Sequence, residues 1–279
     1  MIPLLSLGYS PCPNDTFIFY GLVHEKVDCE GVLFGNPVLE DVETLNLWAL
    51  EKRLDITKLS CHALGHVLDD YCVLSAGAAL GRGCGPLLVA SKKTDIYSLK
   101  DKKVAIPGRY TTAALLLQML LPGCTGLVEM RFDSIMEAVL QGEVDAGVII
   151  HESRFTYQDY NLVCLQDLGQ WWEDQTTMPI PLGAIVARRS LGAEKIGEID
   201  RALQRSVRYS FAYPDECMTY IQAHSQEMEG EVIRQHIGLY VNDYSIDLGR
   251  NGFGAIEEFL ERGRQAGVLP ETNYGLKII

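Results

Sequence analysis

The sequence predicts an α/β fold built as two lobes. Short apolar runs of strand length alternate with longer runs of helical period along most of the chain, the pattern of βα units with parallel sheets covered on both faces. At 279 residues the chain is long for one compact core, so two domains are expected. Strand-like segments near 86–92 and 180–188 stand at the two breaks in the βα series, where the chain can cross between lobes. Residues 1–88 with 186–279 are therefore expected as a large, discontinuous α/β lobe and residues 89–185 as a small one, with a ligand cleft between them.

The elements follow in order. Residues 4–9 read as a strand and 16–25 as a helix, for which Asn14 or Asp15 is the expected N-cap. Residues 41–53 form a helix with Val42, Leu45, Trp48 and Ala49 on one face. A strand over 55–59, a helix over 61–71, a strand over 72–76 and a glycine-rich loop over 81–85 precede the strand 87–91. The second series has strands at 103–106, 128–132 and 146–150. Its helices lie at 112–121 and at 133–141, the latter with Asp133 as its cap. Strands at 162–168 and 183–188 lead to amphipathic helices near 194–212, 230–240 and 253–266. An α/β domain with a second one inserted is similar to the periplasmic binding protein type II fold.

The bulk numbers exclude several functions. A formal charge of −13 argues against a nucleic-acid partner, because neutralising phosphates requires basic patches. No apolar run reaches the length of a membrane span. The first residues carry prolines and an Asp and lack a basic segment, so no secretory signal is expected and the protein reads as cytoplasmic. Eight cysteines are scattered without a C-x-x-C pair, and most, such as Cys72 and Cys164, sit in apolar surroundings. Buried, reduced thiols are the expectation.

Residues with chemistry cluster at strand ends. Ser10-Pro11-Cys12-Pro13-Asn14-Asp15-Thr16-Phe17-Ile18-Phe19 joins the first strand to the first helix, and its prolines forbid a helix across the join. It is either a structural turn or a seat for an anionic or hydroxylated ligand, and Asn14 and Asp15 either reach the cleft or only cap. Thr111 and Thr112 open a helix after Pro107-Gly108-Arg109 and can cap it, hold a carboxylate, or both. Lys58, Leu59 and Ser60 end a strand, and Lys58 is a candidate anion holder. His151 follows the apolar run 147–150 at a strand's carboxyl end, where an imidazole can act as a general base. Its alternative is a hydrogen-bonded core histidine. Arg82, in a glycine-rich loop that is neither a Walker A loop nor a dinucleotide fingerprint, is a further ligand candidate. His62 and His66 have i, i+4 spacing but no H-E-x-x-H glutamate, so they read as a helix-surface pair rather than a metal site. His24, His224 and His236 belong to no constellation, and the tryptophans 171 and 172 either line a cleft lip or pack beneath it.

SPCPNDTFIF, Glu40-Asp41-Val42-Glu43-Thr44-Leu45-Asn46, Thr57-Lys58-Leu59-Ser60, Gly81-Arg82-Gly83 with Gly85-Pro86-Leu87, Pro107-Gly108-Arg109 with Thr111-Thr112, and His151-Glu152-Ser153-Arg154-Phe155-Thr156-Tyr157 occur in that order. Together they resemble the 1,4-dihydroxy-6-naphthoate synthases of the futalosine route to menaquinone. The resemblance runs from about residue 6 to 188. It implies the periplasmic-binding-type fold, a small carboxylate substrate (cyclic dehypoxanthinyl futalosine), and carbon–carbon cleavage without a metal or redox cofactor. His151 matches the family's catalytic base, and the Thr111–Thr112 pair its substrate-contacting element. Two alternatives are a chorismate dehydratase of the same route, against which the complete opening and HESRFTY motifs speak, and a non-catalytic carboxylate-binding protein.

Overall fold

The computed structural model describes residues 4–151, 153–225 and 229–277. Two mixed sheets organise them. The first contains β1 (Leu7–Tyr9), β2 (Val38–Leu39), β3 (Ile56–Ser60), β4 (Tyr71–Val73), β5 (Ala79–Gly81) and β11 (Ile180–Arg188), ordered β2-β1-β3-β11-β4, with β5 also paired to β11. The second contains β6 (Leu87–Ala90), β7 (Val104–Ile106), β8 (Leu127–Glu129), β9 (Ala146–Ile149) and β10 (Val163–Asp167), ordered β10-β6-β9-β7-β8.

The sheets are not wholly parallel, as the alternation had suggested. β1 is parallel to β2 and β3, and β7 to β8 and β9, but β11 is antiparallel to β3, β4 and β5, and β6 is antiparallel to β9 and β10. The reason is topological. β6 and β11 follow the passages from one sheet to the other, so each enters its new sheet from the end opposite to the βα units already there. β6 lies entirely in the second sheet and β11 entirely in the first.

The first helix, Pro13–Val23, is buried on nearly every side, against the helices Ala193–Ala212, Pro214–His224 and Gly230–Tyr240. Its N-cap is Cys12 with Pro13 in the first turn, so the expected caps Asn14 and Asp15 lie inside the helix, two and three residues past the cap. Proline suits that first position because its missing N–H would have had no helical partner. Asp15 accepts instead from the Ser10 amide at 3.2 Å and the Ser10 hydroxyl at 2.7 Å. Asp133 also departs from expectation. It sits within a 3-10 turn, Phe132–Ser134, and pairs with Arg131 at 2.8 Å, while the α-helix begins at Ile135. Two helices unseen in the sequence pattern, Pro214–His224 and Asp243–Ile246, complete the C-terminal part. Pro214 starts the former with only Tyr213 between it and the end of Ala193–Ala212.

One apolar cluster runs from the first sheet through to the second, joining Leu59 and Val186 to Leu88 and Val148. Trp172 lies fully buried in it, donating Nε1–H to the Pro179 carbonyl at 3.1 Å, and Trp171 is half-buried beside it. Cysteines 61, 72, 84, 124 and 217 are buried, but Cys164 is exposed because β10 is an edge strand of the second sheet. Among the described residues no helix is long and apolar enough to cross a membrane.

Candidate active site

The carboxyl ends of β1, β3, β7 and β9 converge between the two sheets, the usual place for a ligand in α/β folds. There a cavity encloses about 660 Å³ of atom-free space, counting its mouth. Asn14, Asp15, Lys58, Leu59, Ser60, Thr111, Thr112 and His151 all line it. Arg82 does not. It is exposed on the glycine-rich loop, donating to the Thr177 carbonyl at 2.6 Å and facing Glu173 at 3.4 Å. A second cavity of about 830 Å³ adjoins the first, and Val42 and His151 belong to the walls of both.

His151 follows Ile150 just past the end of β9, at a left-handed φ of 55°. That conformation is uncommon for a residue with a Cβ. It turns the chain sharply and brings the imidazole to the junction of the cavities. His151 Nδ1 lies 3.7 Å from the Cys12 sulfur, and Phe132 meets the ring edge-on with centroids 5.1 Å apart. Glu152, from the same motif, lies outside the described residues.

His236 stacks on His151 at 6.1 Å, although the sequence offered it no partners. Its Nε2 lies 2.9 Å from Asn14 Oδ1, while Asn14 Nδ2 donates to Asp15 at 2.7 Å. Because the Asn14 amide nitrogen faces the carboxylate, its oxygen accepts, and His236 carries its proton on Nε2. Burial, aided by His151 and Lys58, holds His236 well below the ordinary histidine range, so it stays neutral. The signal was present in the sequence: Ile233, His236 and Tyr240 fall on one face of an amphipathic helix, and all three are buried.

Lys58 forms a buried ion pair with Asp15 at 2.5 Å. Part of its donor capacity is thus taken up internally, and the pair is neutral as a unit. The threonine hydroxyls are likewise engaged. Thr111 Oγ1 donates to the Gly108 carbonyl at 2.8 Å and accepts from the Ala114 amide at 3.2 Å, which makes Thr111 the N-cap of Thr112–Leu120. Thr112 Oγ1 donates to the Leu182 carbonyl at 2.6 Å and accepts from the Cys61 amide at 3.1 Å. What this corner offers an anion is therefore the amide-rich start of the helix.

His62 and His66 are not a surface pair. They pack under the 107–111 loop beside Tyr110, and His62 donates from Nδ1 to the Thr111 carbonyl at 3.1 Å. Burial, the largest influence, and the neighbouring His66 bring His62 down to about 4, against the Thr111 hydrogen bond, which acts in the opposite direction. Among the described residues no group of three or more His, Cys, Asp or Glu side chains is arranged to hold a metal ion.

The family model described as menaquinone biosynthesis matches residues 5–265. This chain belongs to the menaquinone biosynthesis family. Two relatives are named 1,4-dihydroxy-6-naphthoate synthase. The one from Thermus thermophilus is 52% identical over 264 residues and the one from Streptomyces coelicolor 45% identical over 275, each match covering 95% of both chains. A solved structure from Archaeoglobus fulgidus superposes with a TM-score of 0.88 at 38% identity, covering 95% of this chain and 98% of its own. A Candida albicans protein described as having the generic periplasmic binding protein fold superposes at 0.67 with 15% identity, covering 98% and 92%. The menaquinone biosynthesis family thus uses the periplasmic binding protein fold here, with the convergent strand ends between its two lobes.

Proposed function

We propose that this chain is a 1,4-dihydroxy-6-naphthoate synthase, a carbon–carbon lyase acting on cyclic dehypoxanthinyl futalosine. The observation that carries the reading is the position of His151, on the wall shared by both cavities, the first of which the helix start at Thr111–Thr112 also lines. The names and identities of the two synthase relatives support it.

In this reading the substrate carboxylate sits at the first amides of Thr112–Leu120, and the end of β3 at Lys58–Ser60 holds the body of the molecule. His151 takes the proton of a hydroxyl on the sugar-derived ring. The oxygen's electrons form a carbonyl as the adjacent carbon–carbon bond breaks in the retro-aldol sense. The electrons released enter the second ring, a triose-type fragment leaves, and proton shifts complete the aromatic dihydroxynaphthoate. The sequence is redox-neutral and needs one base whose proton affinity lies near the working pH. Enclosure between lobes keeps water from the intermediate.

Incubating purified protein with cyclic dehypoxanthinyl futalosine tests this directly. Formation of 1,4-dihydroxy-6-naphthoate with one equivalent of a three-carbon product is expected. Turnover of chorismate instead, or carboxylate binding without any turnover, would overturn it in favour of a dehydratase or a binding protein.

A further inference from the structure

The motif Glu40-Asp41-Val42-Glu43-Thr44-Leu45-Asn46 has no role in the chemistry above. Its geometry is specific. Asp41 caps the helix Val42–Leu50 by accepting from the amides of Glu43 at 2.9 Å and Thr44 at 3.2 Å. That places Glu43 in the first turn and Asn46 one turn later on the same side. The Glu43 carboxylate accepts the backbone N–H of Tyr110 with both oxygens, at 2.9 and 3.2 Å. It also accepts from Asn46 Nδ2 at 2.9 Å. The same Asn46 nitrogen lies 3.1 Å from Ser60 Oγ, and Asn46 Oδ1 accepts the Ser60 amide at 2.8 Å.

We propose that Glu43 is a positioning residue that latches the 107–111 loop of the second sheet to Ser60 of the first, and so sets the spacing of the two walls that hold the substrate. Tyr110 immediately precedes Thr111, the cap of the anion-seating helix, so a bond to its amide fixes where that helix begins. Gly108 supplies independent support. At φ +147° its backbone approaches Glu43 so closely that a Cβ there would lie 2.5 Å from the Glu43 side-chain carbons. The loop is shaped around this carboxylate. Arg109 turns its guanidinium to Glu129 at 3.1 Å, so the latch consists of neutral donors around a half-buried anion. Burial raises the Glu43 pKa above the ordinary carboxylate value, in keeping with that setting.

The effect on substrate rests on the proposed function; the latch does not. Glu43→Gln keeps the shape but turns an amide NH₂ toward the Tyr110 or Asn46 donors. Amide hydrogen exchange on ligand-free protein is expected to quicken about tenfold or more over 108–114 and 58–62, the loss of one charge-assisted hydrogen bond, with the helix Ala193–Ala212 unchanged. Steady-state assays are expected to show KM raised about tenfold with kcat within about threefold, because the base is untouched. Unchanged exchange in both segments overturns the latch. Faster local exchange with a lowered kcat and an unaltered KM overturns its role in holding substrate. Should Glu43→Gln loosen the whole protein, Gly108→Ala is expected to give the local signature, and its absence overturns the latch equally. A parent protein without turnover, but with the local exchange effect, counts against the proposed function alone.

Discussion

The imidazoles of His151 and His236 lie nearly parallel, planes 10° apart and centroids 6.1 Å apart. Two facing imidazoles in a partly dry site resist carrying charge together. The one tied to Asn14 is the one held neutral, in keeping with the role of base proposed for His151. His236→Phe preserves the ring but leaves the Asn14 oxygen without its donor. Unfolding in urea is expected to show a loss of roughly 1–3 kcal/mol, and kcat to fall because Asn14 and Cys12 then hold the His151 wall less firmly. A variant as stable and as active as the parent would show that the stack is incidental.

His151 itself is the sharper test. His151→Ala is expected to lower kcat by about 10²–10⁴ while circular dichroism and Tm stay at parental values. His151→Asn should be nearly as inactive, since an amide keeps hydrogen bonding but takes up no proton. Retention of more than a tenth of parental turnover would remove His151 from the role of base.

The Lys58–Asp15 pair is buried, with side chains 6% and 2% exposed. Removing one partner strands the other, at a cost of about 3–5 kcal/mol. Lys58→Met is therefore expected to be strongly destabilised. Lys58→Met combined with Asp15→Asn should recover much of the stability but not the activity. Chemical denaturation of the two variants decides it, and additive losses would sink the argument.

His62 makes stability depend on pH. Its proton is taken up near 6.5 in the unfolded chain but only near about 4 in the folded protein. Between those values the unfolded state binds the extra proton. The contribution is thus complete above about 6.5 and is lost as pH falls toward about 4, up to roughly 3 kcal/mol. His236 acts in the same direction. Tm measured from pH 7 to 5 is expected to fall, and His62→Gln to fall less steeply. Parallel curves for parent and variant would assign the slope elsewhere.

Much of the architecture was legible in the chain because strands and helices write their periods locally. The βα alternation, the proline-stiffened turn after the first strand and the histidine after an apolar strand all depend on neighbours in sequence. The positions of Lys58–Ser60 in the first sheet, and of Thr111–Thr112 and His151 in the second, past the carboxyl ends of parallel strands follow from that order, while the meeting of the two edges at one cavity belongs to the tertiary fold. The end of the helix near 212 was legible, but the helix Pro214–His224 that follows it after a single residue was not.

By itself the sequence determined the α/β class, the carboxyl-end placement of the chemical residues and the membership that its motifs announced. Only the tertiary structure decided what each side chain faces. It set His236 against Asn14 across 222 positions, Lys58 against Asp15 across 43, and Glu43 against Tyr110 across 67. It also turned the threonine hydroxyls inward and left Arg82 outside the cavity. Periodicity specifies which face of an element is buried. It carries no information about which distant donor or acceptor meets that face, and buried polar groups are stable only when such a partner is supplied.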